Sequence, residues 1–111
     1  MQESIHFFNY KDGVPKGFIQ LTFRYEESDR VWIGECLELG TTTEADTLDE
    51  IRQDLQGAVK LQLVQMDKLG HIGGFLREHN VRVHPITTLP GKKSGTWEST
   101  QARRVREPVK A

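Results

Sequence analysis

One amphipathic segment, from Leu48 to Leu69, constrains the fold of this chain more than any other feature. It opens on Thr47-Leu48-Asp49-Glu50, which fits the capping box Ser/Thr-x-x-Glu/Gln. In that motif the threonine hydroxyl accepts from the amide of residue 50, and the Glu50 carboxylate reaches back to the amide of residue 47. Gly70 is a natural stop, so we predict one helix about 33 Å long. Its apolar residues form a face broad enough to cover a sheet: Ile51, Leu55, Ala58, Val59, Leu61, Leu63, Val64, Met66 and Leu69.

Three strands are predicted before this helix. Residues 18–26 alternate, with Ile19, Leu21, Phe23 and Tyr25 on one face, which indicates a half-buried strand. After a polar turn the chain alternates again, with Val31, Ile33, Leu37 and Leu39 on one face. Thr41 to Thr43 favour a short third strand after Gly40. These strands should form an antiparallel meander with the helix packed on one face.

The residues after the long helix predict two more elements, which together with the preceding strands indicate an α+β fold class. Phe75 to His79 indicate a short helix, and Val81 to His84 a fourth strand stopped by Pro85. The predicted order is therefore a three-stranded antiparallel meander, one long helix, a short helix and a fourth strand. We divide the chain into an N-terminal segment (1–17), an α+β domain (18–85) and a basic C-terminal tail (86–111). In the first segment Ile5, Phe7 and Phe8 would form a short edge element, and Lys11 to Lys16 a turn.

Charge separates the body from the tail. Residues 1–90 carry nine Lys and Arg against fourteen Asp and Glu, a net charge of −5. Residues 91–111 carry six Lys and Arg against two Asp and Glu, a net charge of +4. The net charge of −1 for the whole chain conceals this difference between its two parts. The tail has few large apolar residues, so we expect it to be mobile or ordered only against a partner.

Composition excludes several classes of protein. The apolar runs fall far short of the ~18 residues that span a bilayer, so we predict no membrane partner. The first ten residues lack the apolar core of a signal peptide, which makes the cytoplasm the expected location. A single cysteine, Cys36, excludes an internal disulfide framework and a site with several thiolate ligands.

The order of elements and a set of local residues resemble the HicB-like antitoxin family, which has a truncated RNase H-like fold. The carrying stretch runs from Leu21 to about Pro85 and includes Trp32-Ile33-Gly34-Glu35-Cys36-Leu37-Glu38-Leu39-Gly40, Thr42 and Ala45-Asp46-Thr47-Leu48-Asp49-Glu50. Family members have an aromatic strand, a Leu-Gly corner, a threonine and then Gly-Asp-Thr-x-x-Glu-Ala. Ala45 and Ile51 replace the family's usual glycine and alanine.

The resemblance implies a binding protein that occludes a small HicA-like toxin, a ribonuclease that cleaves mRNA. It also implies a truncated, non-catalytic domain, so we predict no enzyme activity, no catalytic residues and no cofactor. Complete antitoxins add a helix-turn-helix or ribbon-helix-helix, and residues 86–111 fit neither. We therefore expect no DNA-binding domain. The alternative is a solitary oligomer of this fold that binds nucleic acid through its tail.

Side chains with possible chemistry have simpler explanations here. Carboxylates could bind metal ions as in RNase H enzymes, but fourteen acidic residues place some near strand ends by chance. The candidates are Glu26, Asp29, Glu35, Glu38, Glu44 and Asp46. Cys36 is expected to be a packed core residue, and His71, His79 and His84 to be solvated or capping residues. We predict no metal site.

Two surfaces could bind partners. Trp32, with Phe18 on the same face, should point away from the helix and mark a subunit or toxin interface, in a dimer or tetramer built on sheet edges and the helix face. The tail could bind phosphates or a partner, with Trp97 stacking on a base. Its residues are Lys92, Lys93, Trp97, Arg103, Arg104 and Arg106.

Overall fold

A computed structural model describes residues 1–86 and 97–101 of this protein. These residues form an α+β fold, which confirms the predicted fold class. Every strand pairing in the described sheet is antiparallel, in the order β4-β3-β2-β1-β6, with β5 beside β2. In chain order the elements are β1 (Gln2–Lys11), β2 (Val14–Ser28), β3 (Val31–Cys36), β4 (Thr42–Ala45), α1 (Leu48–Lys68), α2 (Ile72–Glu78), β5 (His84–Pro85) and β6 (Trp97–Gln101). In the described part of the chain, neither helix is long and apolar enough to cross a membrane.

Helix α1 begins as predicted. The Glu50 amide donates to Thr47 Oγ1 at 3.1 Å. The second half of the capping box differs, because the Thr47 hydroxyl donates to Glu50 Oε1 at 3.2 Å. The helix ends at Lys68, and Gly70 follows with a left-handed φ of +75°. One stripe of α1 is fully buried against the sheet: Ile51, Leu55, Val59 and Leu63.

The core lies between α1 and one face of the sheet, which we call the inner face. It is lined by alternating, fully buried residues of β1 and β2: Ile5, Phe7, Ile19, Leu21, Phe23 and Tyr25. The inner residues of β2 are the four that the alternation predicted. The opposite side of the sheet, called the outer face below, carries the intervening residues of the same strands.

The N-terminal segment is a full strand, which corrects the predicted short edge element. β1 is ten residues long and pairs with β2 on one side and β6 on the other. Only Asp12 and Gly13 form the turn, with φ of +54° and +77°. Both angles are left-handed, as a two-residue hairpin turn requires, and the predicted turn from Lys11 to Lys16 is wrong.

A polar cluster ties β1 to the helix. The Tyr25 hydroxyl donates to Glu3 Oε2 at 2.5 Å, and Arg52 Nε donates to the same oxygen at 3.1 Å. Burial, first, and then the hydrogen bond to Glu3 raise the pKa of Tyr25, so its hydroxyl remains a donor. The cluster therefore joins β1, β2 and α1 at the edge of the core.

The two faces of β3 are reversed relative to the prediction. Trp32, Gly34 and Cys36 lie on the inner face, whereas Ile33 is 40% exposed on the outer face. A Cβ at Gly34 would lie 2.8 Å from Ile51 Cγ1, so α1 comes too close for a larger side chain. The helix approaches the strand closely at Gly34, while Trp32 and Cys36 on either side of it pack into or against the core and Ile33 and Glu35 face outward.

The elements after α1 also differ from the prediction. α2 begins three residues earlier than predicted, and the fourth predicted strand shrinks to the two residues of β5. β6 was not predicted, because it lies inside the segment expected to be a mobile tail. Trp97 opens β6 and is only 2% exposed, so its indole belongs to the core.

Candidate interaction surface

The outer face has an aromatic end and a polar end. At the aromatic end four half-buried rings come together, which we call the aromatic patch: His6, Phe8, Phe18 and His84. At the polar end Arg24 Nη2 donates to Glu35 Oε1 at 2.6 Å, near the exposed carboxylates of Glu26 and Glu44. The described helices pack against the inner face and leave this patch half-exposed.

Strand register brings the four rings together. Phe8 lies opposite Phe18 across β1 and β2, and His84 lies opposite Phe18 across β2 and β5. Directly opposed residues share one face of a sheet, so these three side chains form a row across the strands. His6 lies two residues before Phe8 and therefore joins the same face one step along β1.

Phe18 is the centre of the patch. Its ring centroid lies 4.9 Å from that of His6, 5.5 Å from that of Phe8 and 5.1 Å from that of His84. The Phe18 and His84 rings are stacked at 29°, and the Phe8 and His6 contact is edge-to-face at 71°. Such pairs stabilise a surface cluster by about 0.5–1.5 kcal/mol each beyond the area they bury.

His6 in the patch favours its neutral form. The pKa of His6 is lowered from 6.5, first by partial burial and then by the nearby His84. A charged imidazolium at His6 would lose hydration and would be close to His84. Partial burial of the patch therefore disfavours a charge on His6.

Polar groups on both sides of the patch are already engaged. Gln20 Nε2 donates to Ser4 Oγ at 2.7 Å beside His6. The Glu38 carboxylate accepts from Thr22 N at 2.8 Å and Thr22 Oγ1 at 2.9 Å. Glu38 also lines a shallow cleft of about 320 Å³ that adjoins the patch at His84; the other lining residues are Gln20, Thr22, Asn80, Val81 and Arg82.

The structure separates the two predicted interface residues. Phe18 lies on the outer face, away from the helix, as expected. Trp32 lies on the inner face and packs against the core, because it pairs with Ala45 and shares its face with Gly34. The expectation that Trp32 points away from the helix is wrong, and the two residues do not mark one surface.

The tail residues divide into those described and those outside the described ranges. Trp97 Nε1 donates to Asp67 Oδ2 at 3.2 Å, and its ring is buried under α1. Because its faces are covered, it is not available to stack on a base, which corrects that expectation. Lys92, Lys93, Arg103, Arg104 and Arg106 lie outside the described residues.

The other residues considered for thiol or metal chemistry are buried or hydrogen-bonded within the fold, or are not grouped as a metal site needs. Cys36 is fully buried, and burial raises its pKa to about 11, which keeps the thiol protonated. His79 Nδ1 lies 3.1 Å from the Glu38 carbonyl oxygen. Across residues 1–86 and 97–101, no three His, Cys, Asp or Glu side chains are grouped as a metal ion would need.

Comparison with known proteins finds no matching family model, curated protein or solved structure.

Sequence reasoning did not place three members of the patch, His6, Phe8 and His84, on one surface with Phe18. The dipeptide Asp12-Gly13 is a hairpin signal, and its recognition would have predicted β1 and placed His6 and Phe8 on one face. His84 could be placed only from the pairing of β5, which covers two residues and leaves little pattern in the sequence.

Proposed function

We propose that this chain is a HicB-like, antitoxin-type binding protein that occludes a small HicA-like mRNA-cleaving toxin and docks it on the aromatic patch. The proposal includes the truncated RNase H-like arrangement that the family resemblance implies. The observation that carries it is the contrast between the two faces of the sheet. One face is closed by α1, whereas four half-buried rings cluster on the other.

The patch has the composition of a docking surface. Aromatic side chains are enriched at the centres of protein interfaces, where they bury large areas at low entropic cost. Here the rings stand on paired strands and contact each other, so little ordering remains to be done on binding. A basic partner would also be attracted by the acidic body, with its fourteen acidic residues against nine basic ones.

Nucleic-acid binding through the tail is the weaker candidate. Its stacking residue, Trp97, is buried and hydrogen-bonded to Asp67. The remaining argument is the charge of six basic residues in the last 21 positions.

The test is inhibition of a cognate ribonuclease. The reading frame adjacent to the gene of this chain should encode a short basic protein that cleaves RNA. We expect an equimolar amount of the full chain to stop that cleavage. Phe18→Glu should weaken inhibition by at least about tenfold, since interface hot spots contribute 2 kcal/mol or more.

The matched control is Leu61→Glu, which places the same charge on the exposed side of α1, where Leu61 is 59% exposed. It should inhibit as well as the wild type. Absence of such a neighbouring frame, or undiminished RNA cleavage in the presence of excess wild-type chain, would contradict the proposal.

A further inference from the structure

Two cations lie beside the aromatic patch without an acidic partner among the described residues. Lys16 is exposed on β2, two residues before Phe18, and Arg82 is exposed two residues before His84. The ion pairs within the described ranges engage other cations, namely Arg24, Arg52 and Lys60. The patch is therefore an aromatic surface with two positive charges at its margin that its own chain does not neutralise.

The two cations lie on opposite sides of Phe18. Strand β5 runs antiparallel to β2, with His84 opposite Phe18. Continuing this register by two residues brings Arg82 beside Gln20, and both line the shallow cleft described above. Lys16 and Arg82 are then about 13 Å apart along β2, at about 3.3 Å per residue, with the rings between them.

The cleft also faces backbone of β2 that has no strand partner. The carbonyl oxygen of Thr22 accepts from Leu37 N at 2.9 Å, and its amide donates to Glu38 Oε1, so both groups point to this side of β2. Backbone groups that point to one side recur at every second residue, so the N–H and C=O of Gln20 point the same way. Pairing with β5 ends at Phe18, and in the described chain no strand reaches Gln20 on this side.

We propose that the outer face binds single-stranded nucleic acid, with two or three bases stacked on the aromatic patch and phosphates held by Lys16 and Arg82. One base edge would pair with the backbone N–H and C=O of Gln20 in the cleft. The binding goes beyond the proposed function because it requires no toxin. A bound strand and a docked toxin would compete for Phe18.

The aromatic patch suits bases as ligands. The ring of Phe18 makes angles of 29–37° with the rings of His6, Phe8 and His84, so the four rings form one continuous surface on paired strands. Bases stack on such rings whatever the sequence, because every base has a π-face. The two unneutralised cations supply the positive charge that a polyanion needs.

Acidic side chains near the patch leave room for a nucleic-acid strand. Glu38 accepts two hydrogen bonds within the chain, and Glu98 lies 3.3 Å from Lys60 Nζ. The exposed Glu26 lies eight residues along β2 from Phe18, about 26 Å away at about 3.3 Å per residue. Salt screens charges beyond about 8–10 Å, so the acidic end of the sheet does not repel a strand on the patch.

Fluorescence anisotropy of a labelled oligouridine of about twelve nucleotides, titrated with the full chain at about 50 mM salt, tests the proposal. We expect saturable binding by the wild type. Lys16→Gln/Arg82→Gln should weaken it at least about fivefold and reduce its salt dependence. The matched control Arg30→Gln/Lys68→Gln removes two exposed charges elsewhere and should weaken it less than about twofold. Equal weakening by the two double variants would overturn the proposed site.

Substitutions of Phe18 separate base stacking from apolar packing. Phe18→Leu keeps an apolar side chain but removes the ring, so it should weaken binding at least about fivefold. Phe18→Tyr keeps the ring and should bind within about twofold of the wild type. Circular dichroism checks that each variant is folded. Wild-type affinity in a folded Phe18→Leu variant would contradict stacking on the patch.

The basic tail is the competing site, and it is tested in the full-length variant Arg103→Gln/Arg104→Gln/Arg106→Gln. Saturable binding should persist in this variant. Loss of binding here, with binding unchanged in the patch variants, would assign the strand to the tail and overturn the proposal.

The form of the nucleic acid provides a further test. An RNA duplex of the same length should bind at least about tenfold more weakly than the single strand, because its bases are already stacked and paired. Single-stranded DNA of matched sequence then shows whether the 2′-hydroxyl contributes. Equal binding of duplex and single strand, or no saturable binding by the wild type up to about 0.1 mM, would overturn the proposal. Either failure is distinguishable from failure of the proposed function, which is measured by inhibition of the toxin.

Discussion

The two faces of the sheet are built from the same strands, yet only one of them is closed. On β2 the odd-numbered residues Ile19 to Tyr25 are fully buried under α1, whereas Phe18 on the other face remains half-buried among three rings. Alternation therefore determines which side chains share a face, and the position of the helix determines which face becomes the core. The open face retains a half-buried cluster of aromatic rings.

The largest expected effect comes from comparing Phe23 on the inner face of β2 with Phe18 on its outer face. Phe23→Ala should reduce the free energy of unfolding by about 4 kcal/mol, because it leaves a cavity in the core. Phe18→Ala should reduce it by about 1–2 kcal/mol, since only part of its surface is buried. Urea denaturation measures the free energy of unfolding of both variants.

The control for this pair is Leu61→Ala, which should change the free energy of unfolding by no more than about 0.5 kcal/mol. Equal losses for Phe18→Ala and Phe23→Ala would mean that the outer face is as closed as the inner one.

Substitutions of Gly34 in β3 and Gly57 in α1 test how closely the helix packs against the sheet. Gly34→Ala should destabilise the fold by about 1–3 kcal/mol, because its Cβ would meet Ile51 Cγ1 at 2.8 Å. Gly57→Ala should stabilise α1 by up to about 1 kcal/mol, since nothing lies within 4 Å of that Cβ and alanine favours helix. Thermal unfolding of both variants measures the difference. A neutral Gly34→Ala would show that α1 can shift away from the sheet.

The smallest expected effect concerns pH and the outer face. The pKa of His6 is lowered below 6.5 in the folded chain, so the unfolded chain binds more protons in that range. The contribution of His6 is fully present above about pH 6.5 and is lost as the pH falls through the folded pKa. NMR titration of the ring should give a pKa below 6.5, and His6→Gln should flatten the decline in stability. A ring that titrates at or above 6.5 would contradict the lowered pKa.

Patterns that depend on neighbouring residues predicted the centre of the fold. The alternation of β2 and the Thr47 cap fixed which residues of β2 are buried and where α1 begins, and both are confirmed. The apolar positions predicted for α1 include all four buried residues, but the set also contains Leu61 and Leu69, which are 59% and 64% exposed, so periodicity alone did not isolate the buried stripe. These features are local, so the sequence contains all the information that they need.

Features that depend on packing between distant elements could not be predicted in the same way. The reversed faces of β3 depend on contacts with α1 and the core, where the helix approaches Gly34 closely and Trp32 packs against buried residues. β6 is held by distant partners, through Trp97 to Asp67 and through Ser99 Oγ to Gln56 Oε1 at 2.8 Å. The aromatic patch draws on three strands, and only Phe18 was identified from the sequence.

The pairing of β6 with β1 has a consequence for the order in which the protein can fold. Ile5 of β1 lies opposite Gln101 of β6. The first strand of the chain therefore pairs with the last described strand to be synthesised. The β1–β2 hairpin and α1 can form while the chain is still being made, whereas this pairing must wait and close a very long loop. We therefore expect burial of the Trp97 indole to be a late step of folding, which its fluorescence would report in a Trp32→Phe variant.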